Sequence, residues 1–166
     1  MKGILIIAAL VVLLPVAAFA ELGVGGVAFY NSPVLLGQSE TPEELNVNKF
    51  TFGGDVRLKM LKLLQGEAML LYSTSNEVQS LDIFLDAGVA FDIAILRLSA
   101  GVGPNFTFNL GESDAVHTGF NAKLNADVKL SKISVGLSYV MDMNIDGGID
   151  VDTSAGLLGA SVLFWL

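Results

Sequence analysis

An alternation of apolar and polar residues with period two is the feature that most constrains how this chain can fold. It is clearest over residues 49–60. The even positions of this segment are Phe50, Phe52, Gly54, Val56, Leu58 and Met60, and the odd positions are Lys49, Thr51, Gly53, Asp55, Arg57 and Lys59. Successive side chains of a β-strand point to opposite faces, so as a strand this segment has one apolar and one polar face. A helix would mix the two sets on every face, and the pattern therefore predicts a strand.

Similar segments recur along the chain and predict eight strands in total. They cover residues 22–30, 49–60, 63–73, 81–92, 96–108, 116–129, 133–142 and 155–166. Tight turns are predicted near 59–62, 92–95 and 130–133, and longer loops at 31–48, 73–77, 109–115 and 142–154. An even number of antiparallel strands can close without a free edge. The predicted fold class is therefore an all-β, eight-stranded antiparallel up-and-down transmembrane β-barrel, with short turns at one rim and long loops at the other.

One residue conflicts with a regular ladder. Pro104 lies within the fifth predicted strand and cannot donate a backbone hydrogen bond. Its position predicts a β-bulge in that strand.

The composition excludes several classes of protein. With 52% hydrophobic and only 16% charged residues, the chain is too apolar to remain disordered. The absence of Cys excludes a disulfide scaffold and a Cys-based zinc site. Seventeen acidic against nine basic residues repel phosphate, which argues against nucleic-acid binding. After residue 20 no apolar run reaches the roughly 18 residues of a membrane-spanning helix.

The first twenty residues have the pattern of a cleavable signal peptide. Lys2 precedes an unbroken apolar stretch, and Ala18 and Ala20 are small residues at the positions that a signal peptidase needs. The stretch is shorter than a membrane anchor, which is the alternative interpretation. The expected organisation is a signal peptide at 1–20, followed by one barrel domain at 21–166.

The alternation alone does not decide which face of the barrel is outside. A soluble lipocalin-like barrel in the periplasm would turn its apolar face inward around an apolar ligand, whereas a membrane barrel turns it outward to lipid. Three features favour lipid. The polar face is rich in Gly and Ser, as a narrow eight-stranded lumen requires. Aromatic residues of the apolar face gather near the predicted rims, as in the girdles at membrane interfaces. The four long loops hold ten acidic residues and no Lys or Arg.

The last strand resembles the assembly signal of one class of barrel. Gly159 is followed by the hydrophobic residues Val162 and Phe164 two positions apart, although the chain ends in Leu166 and Leu157 stands where a polar residue is usual. Together with the predicted architecture, this makes the chain resemble the small eight-stranded outer-membrane β-barrels of the OmpA transmembrane-domain and OmpX type.

That resemblance implies a bacterial outer-membrane protein with a closed lumen and a structural or surface-interaction role, not an enzyme. The implied partners are outer-membrane lipids and lipopolysaccharide, the barrel-assembly machinery, and an extracellular protein partner that contacts the acidic loops. The alternatives are the soluble periplasmic lipocalin-like barrel and a narrow ion channel.

Eight charged residues of the polar face are predicted to form a charge network in the lumen. They are Asp55, Arg57, Glu67, Asp82, Asp86, Arg97, Lys123 and Asp127. Charges in a narrow lumen must pair or keep water, because isolated burial is costly. We expect Arg97 close to Asp127, and Lys123 within reach of Asp86. A plug of structural salt bridges is the favoured interpretation, and a narrow gated ion path is the alternative.

The acidic loop that begins at residue 142 has the spacing of a calcium-binding loop. Asp142, Asn144, Asp146 and Asp150 fit the pattern D-x-N-x-D-G-x-I-D, in which oxygen ligands two residues apart surround a hard cation. Thr153 stands at the twelfth position, where a bidentate Glu is usual, and the predicted flanks are strands, not helices. A Ca²⁺ site is therefore one hypothesis and a solvated acidic loop the other; no further cofactor is expected.

His117 is the only His and is predicted to lie on the lumen side near the long-loop rim. Membrane-embedded lipid-modifying enzymes on eight-stranded barrels use a His with a Ser and an acid, and Ser113 and Asp114 are close in sequence. These residues have no distinctive spacing, so we expect a structural His and no catalysis.

Overall fold

The computed structural model describes residues 20–30, 49–75, 78–110, 116–144 and 150–166. Only the backbone is described for residues 74, 75, 78, 142, 144 and 150–155. The predicted signal peptide lies outside the described residues except for Ala20, and it stays a prediction.

Eight antiparallel strands form a closed barrel. They are β1 (Glu21–Tyr30), β2 (Phe50–Met60), β3 (Leu64–Ser75), β4 (Val78–Ile93), β5 (Leu96–Leu110), β6 (Val116–Leu130), β7 (Ile133–Asn144) and β8 (Asp150–Trp165). Each strand pairs with the next along the chain, and β1 also pairs with β8. The predicted all-β up-and-down barrel is confirmed. In the described part of the chain, no helix is long and apolar enough to cross a membrane.

The two faces of the barrel wall differ as the alternation predicts. Large apolar side chains are exposed on the outside of every strand, among them Val24, Phe52, Leu70, Leu85, Val102, Leu124, Leu137 and Val162. Polar and charged side chains are buried on the inside, including Asp55, Glu67 and Asp127. The alternative barrel with its apolar face turned inward therefore does not agree with the structure.

Two strands begin earlier than the sequence predicts. β4 begins at Val78 instead of residue 81, and β8 begins at Asp150 instead of residue 155. These added segments are polar and have little strand pattern of their own. The strands extend into these segments because the neighbouring strands supply backbone pairing partners, with Val78 opposite Ser75 and Asp150 opposite Asn144.

The predicted bulge at Pro104 is wrong. The register between β5 and β6 is continuous through the pair of Pro104 and Phe120. The register with β4 is the same on both sides of the proline, where Phe84 pairs with Asn105 and Ala87 with Val102. The proline therefore interrupts the ladder locally without inserting a residue. The register shift in the described strands instead lies between β7 and β8, at Val140/Asp142.

Gly53 and Gly54 give a matched test of how closely the strands approach each other. A Cβ atom added at Gly53 would lie 1.8 Å from the carbonyl oxygen of Leu70 on β3. One added at Gly54 would lie 3.9 Å from the carbonyl oxygen of Gly25. We expect Gly53→Ala to destabilise the barrel by about 1–3 kcal/mol, the usual cost of overpacking, and Gly54→Ala to leave the free energy of unfolding nearly unchanged. Urea unfolding in lipid vesicles measures both, and equal stability of the two variants would contradict this packing.

Candidate functional site

The interior of the barrel contains three layers of side chains. Nearest the short turns lies the rim cluster, formed by Glu21, Lys59, Asp92, Arg97 and Lys129. Next lies the central network, formed by Asp55, Arg57, Glu67, Lys123 and Asp127. Toward the long loops lies the apolar layer, formed by Val27, Phe29, Met69, Leu71, Phe84 and Val140. Strand register sets this order, because inward residues of neighbouring strands meet at similar heights.

Arg57 is the centre of the central network. It is fully buried, and its guanidinium group faces carboxylates from three strands. Nε donates to Asp55 Oδ2 at 2.8 Å, and Nη1 donates to Asp127 Oδ2 at 2.8 Å. Nε also lies 3.2 Å from Glu67 Oε1. Glu67 is the cross-strand partner of Arg57, whereas Asp127 reaches it from β6 across the lumen. One planar cation thus joins β2, β3 and β6 through charge-assisted hydrogen bonds.

Lys123 is the second cation of the central network. It forms an ion pair with Glu67, and its Nζ lies 3.3 Å from Met69 Sδ and 5.8 Å from the centroid of the Phe29 ring. The amide of Asn125 donates to Glu67 Oε2 at 3.2 Å. Glu67 therefore has two cations beside it, Arg57 and Lys123. Lys123 lies at the boundary between the central network and the apolar layer.

Two predicted lumen residues lie outside these ion pairs. Asp86 is buried and is the register partner of Glu67, but it forms no ion pair within the described segments. The sequence analysis expects Lys123 within reach of Asp86, whereas the ion pair of Lys123 is with Glu67. Asp82 lies nearer the long loops, where the Ser80 hydroxyl donates to it at 3.5 Å.

Arg97 belongs to the rim cluster. It is the register partner of Asp127, as expected, yet its own ion pairs are with Asp92, at 2.6 Å, and with Glu21. Asp92 also accepts from Lys59 at 2.7 Å and from Lys129 at 3.3 Å. Five charges from five strands therefore meet at the short-turn end of the lumen.

Trp165 fixes the last strand to the rim cluster. Its indole ring is buried inside the barrel, with the Arg97 guanidinium carbon 4.2 Å from the ring centroid. The indole Nε1 donates to the Ser134 hydroxyl at 2.9 Å. The Trp165 side chain therefore makes a cation–π contact through its ring and a hydrogen bond through its indole N–H.

The apolar layer fills the lumen on the long-loop side of the central network. Phe29 and Leu71 are fully buried, and Met69 and Val140 nearly so. Apolar side chains cannot replace the hydration shell of an ion, and such constrictions block conduction. This arrangement places a layer of packed apolar side chains between the central network and the long-loop end of the lumen.

The residues of the other two hypotheses are only partly described. His117 pairs with Thr107 on β5 and is exposed, while Ser113 and Asp114 lie outside the described residues. For the predicted calcium loop, the backbone places Asn144 opposite Asp150 at the end of the β7–β8 hairpin, and Asp146 lies outside the described residues. The side chains of Asp142, Asn144 and Asp150 are not described, so the calcium site stays a prediction. Among the described residues, no group of three or more His, Cys, Asp or Glu could hold a metal ion.

The sequence analysis missed the apolar layer and most of the rim cluster. Glu67 on β3 is one of the predicted lumen charges, and the same parity places Met69 and Leu71 inside. For β1, the Gly-rich sequence hides the parity, and only its pairing with β2 reveals that Phe29 points inward. The alternation of faces along β3 was therefore the sequence signal that could have identified Met69 and Leu71 as interior residues.

The fold has relatives among solved structures. The chain is similar to the N-terminal β-barrel domain of Pseudomonas aeruginosa OprF, with a TM-score of 0.58, 12% sequence identity, and coverage of 89% of this chain and 98% of that domain. It is also similar to Neisserial surface protein A, with a TM-score of 0.49, 14% identity, and coverage of 87% and 96%. No protein-family profile and no curated protein matches the chain. The first of these similarities confirms the predicted resemblance to small eight-stranded barrels at the level of the fold.

Removal of the Arg57 charge tests the central network. Arg57→Gln leaves Asp55, Glu67 and Asp127 buried with too little positive charge, and we expect a loss of about 3–5 kcal/mol of stability. Arg57→Gln/Asp127→Asn should be less destabilised than Arg57→Gln alone, because it removes one of the uncompensated charges. Lys132→Gln, an exposed control, should change stability little.

Urea unfolding of the barrel in vesicles measures all three variants. If Arg57→Gln were as stable as the wild type, the network would not hold the interior together.

Proposed function

We propose that this chain is a non-enzymatic β-barrel protein of the bacterial outer membrane. The observation that carries the proposal is the outer face of the wall, which exposes large apolar side chains on all eight strands. Monomeric soluble proteins rarely expose continuous apolar surface of this extent, whereas lipid solvates it. The closed ladder supports the same conclusion, because every strand has a partner on each side and no unpaired edge faces the bilayer.

Tyr30, Phe50 and Phe52 support a membrane interface at the long-loop end of the barrel. The rings of Tyr30 and Phe50 have centroids 4.8 Å apart, and those of Phe50 and Phe52 are 5.9 Å apart. They lie together at the long-loop end of β1 and β2, where an aromatic girdle would meet the membrane interface. Because the short turns of outer-membrane barrels face the periplasm, we place the opposite end of the barrel, which leads into the acidic loops of the sequence, at the outer surface.

The proposed role is a structural and surface-interaction one. The apolar layer and the central network together favour a closed lumen over an ion path. Export by the predicted signal peptide, insertion by the barrel-assembly machinery, and contact with lipopolysaccharide and an extracellular protein partner complete the proposal.

Fractionation of natively expressed protein tests the membrane assignment. We expect the chain to remain with outer membranes through a carbonate wash, and its band to shift on a gel only after boiling, because the folded barrel resists detergent. Recovery as a soluble periplasmic protein without detergent would contradict the proposal.

Planar-bilayer recordings on the same folded protein test the closed lumen. Discrete, reproducible conductance steps would favour the narrow channel instead, and their absence under conditions in which a known porin conducts is the expected result.

A further inference from the structure

The short turns combine exposed apolar residues with lysine. Leu61 and Leu63 flank Lys62 in the β2–β3 turn, and Leu130 and Ile133 flank the β6–β7 turn that contains Lys132. All four apolar side chains are exposed, Leu61 and Leu130 to 58% each. The β4–β5 turn is apolar as well, with Ile93 and Ile95 exposed.

The residues in these turns are unusual for their backbone conformation. Residues with positive φ in tight turns are normally Gly or Asn, because these residues tolerate that conformation. Here they are Leu61, Lys62, Ala94 and Ser131. The apolar turns continue the apolar outer wall to the very rim of the barrel.

Lys62 and Lys132 differ from the other basic residues of the rim. Lys59, Arg97 and Lys129 are paired with Asp92 or Glu21. Within the described segments, neither Lys62 nor Lys132 has an ion-pair partner, and both are exposed.

Lys132 lies beside an outward aromatic ring, and Lys62 borders a depression at the rim. Lys132 Nζ lies 6.0 Å from the centroid of the outward Phe164 ring. Lys62 borders a depression at the same rim, whose other lining residues are Phe91, Ile93, Lys59, Glu21 and Asp92; the two acidic residues are already paired with Arg97, Lys59 or Lys129. Since the β2–β3 and β6–β7 turns are four strands apart in a barrel of eight, the lysines lie on opposite sides.

We propose that the short-turn rim lies in the head-group region of the periplasmic leaflet, and that Lys62 and Lys132 each bind the phosphate of an anionic phospholipid. The inference rests on the proposed membrane location and goes beyond it by naming the lipid class and the contact residues. Apolar turn residues enter the boundary between head groups and acyl chains, and lysine directs its charge back to the interface. Each lysine near such a surface contributes about fivefold to the binding of anionic lipid.

Native mass spectrometry of the folded protein in mixed micelles counts the retained lipids. The micelles contain equal amounts of phosphatidylglycerol and phosphatidylcholine as the probes. We expect the wild type to prefer phosphatidylglycerol at two sites, Lys62→Gln and Lys132→Gln each to lose one of them, and the double variant to retain both lipids equally. Lys62→Arg/Lys132→Arg should keep the preference.

Lys129→Gln is the matched control. It removes one positive charge from the same rim, but this lysine is already paired with Asp92, so the preference should persist. An equal loss in Lys129→Gln would mean that rim charge in general, and not local contact, selects the lipid. Equal retention of both lipids by the wild type would also overturn the proposal.

Heat-modifiable migration of each variant separates this inference from the proposed function. A folded, membrane-inserted barrel without lipid preference contradicts only the lipid sites, whereas a wild-type chain that does not enter membranes contradicts both.

Discussion

The pairing of β1 with β8 is the interaction on which the rest of the structure depends. It runs from Gly23 opposite Trp165 to Tyr30 opposite Leu158, and it turns a sheet with two free edges into a ring. In lipid, backbone donors and acceptors have no water to satisfy them, so an open edge is excluded. Closure with eight strands also fixes a lumen only wide enough for side chains. The content of the interior follows from this limit.

The narrow lumen is filled by side chains of two different kinds, charged and apolar. Near the short turns and in the middle it is charged, and opposite charges neutralise one another through Arg57, Lys123 and Arg97. Toward the long loops it is filled mainly by the apolar layer, whose side chains need no polar partners. A buried ion pair adds little net stability over an apolar substitute, but a broken pair is costly. The network therefore makes the strands interdependent, because Arg57 contacts carboxylates from β2, β3 and β6.

Most of the fold could be predicted from the sequence, because the side-chain period of a strand is two and a barrel wall has two unlike environments. The identity of the charges in the central network followed from the same parity, whereas only Arg97 of the rim cluster was predicted. Their pairing did not follow, because long side chains cross the lumen: Arg97 lies opposite Asp127 in register yet pairs with Asp92 and Glu21. The bulge predicted at Pro104 is absent for a different reason. A missing backbone donor can be tolerated by a local break in the ladder, with no residue inserted.

The central claim is that the outer wall faces lipid, and site-directed spin labelling tests it most directly. The chain contains no Cys, so Leu98→Cys, Leu124→Cys and Leu137→Cys each give a single labelling site on the outward face of β5, β6 and β7. In vesicles, the label at each site should collide readily with oxygen, which concentrates in the bilayer, and rarely with a water-soluble nickel complex. Preferential collision with the nickel complex at these sites would show that water covers the wall, and the account would be wrong.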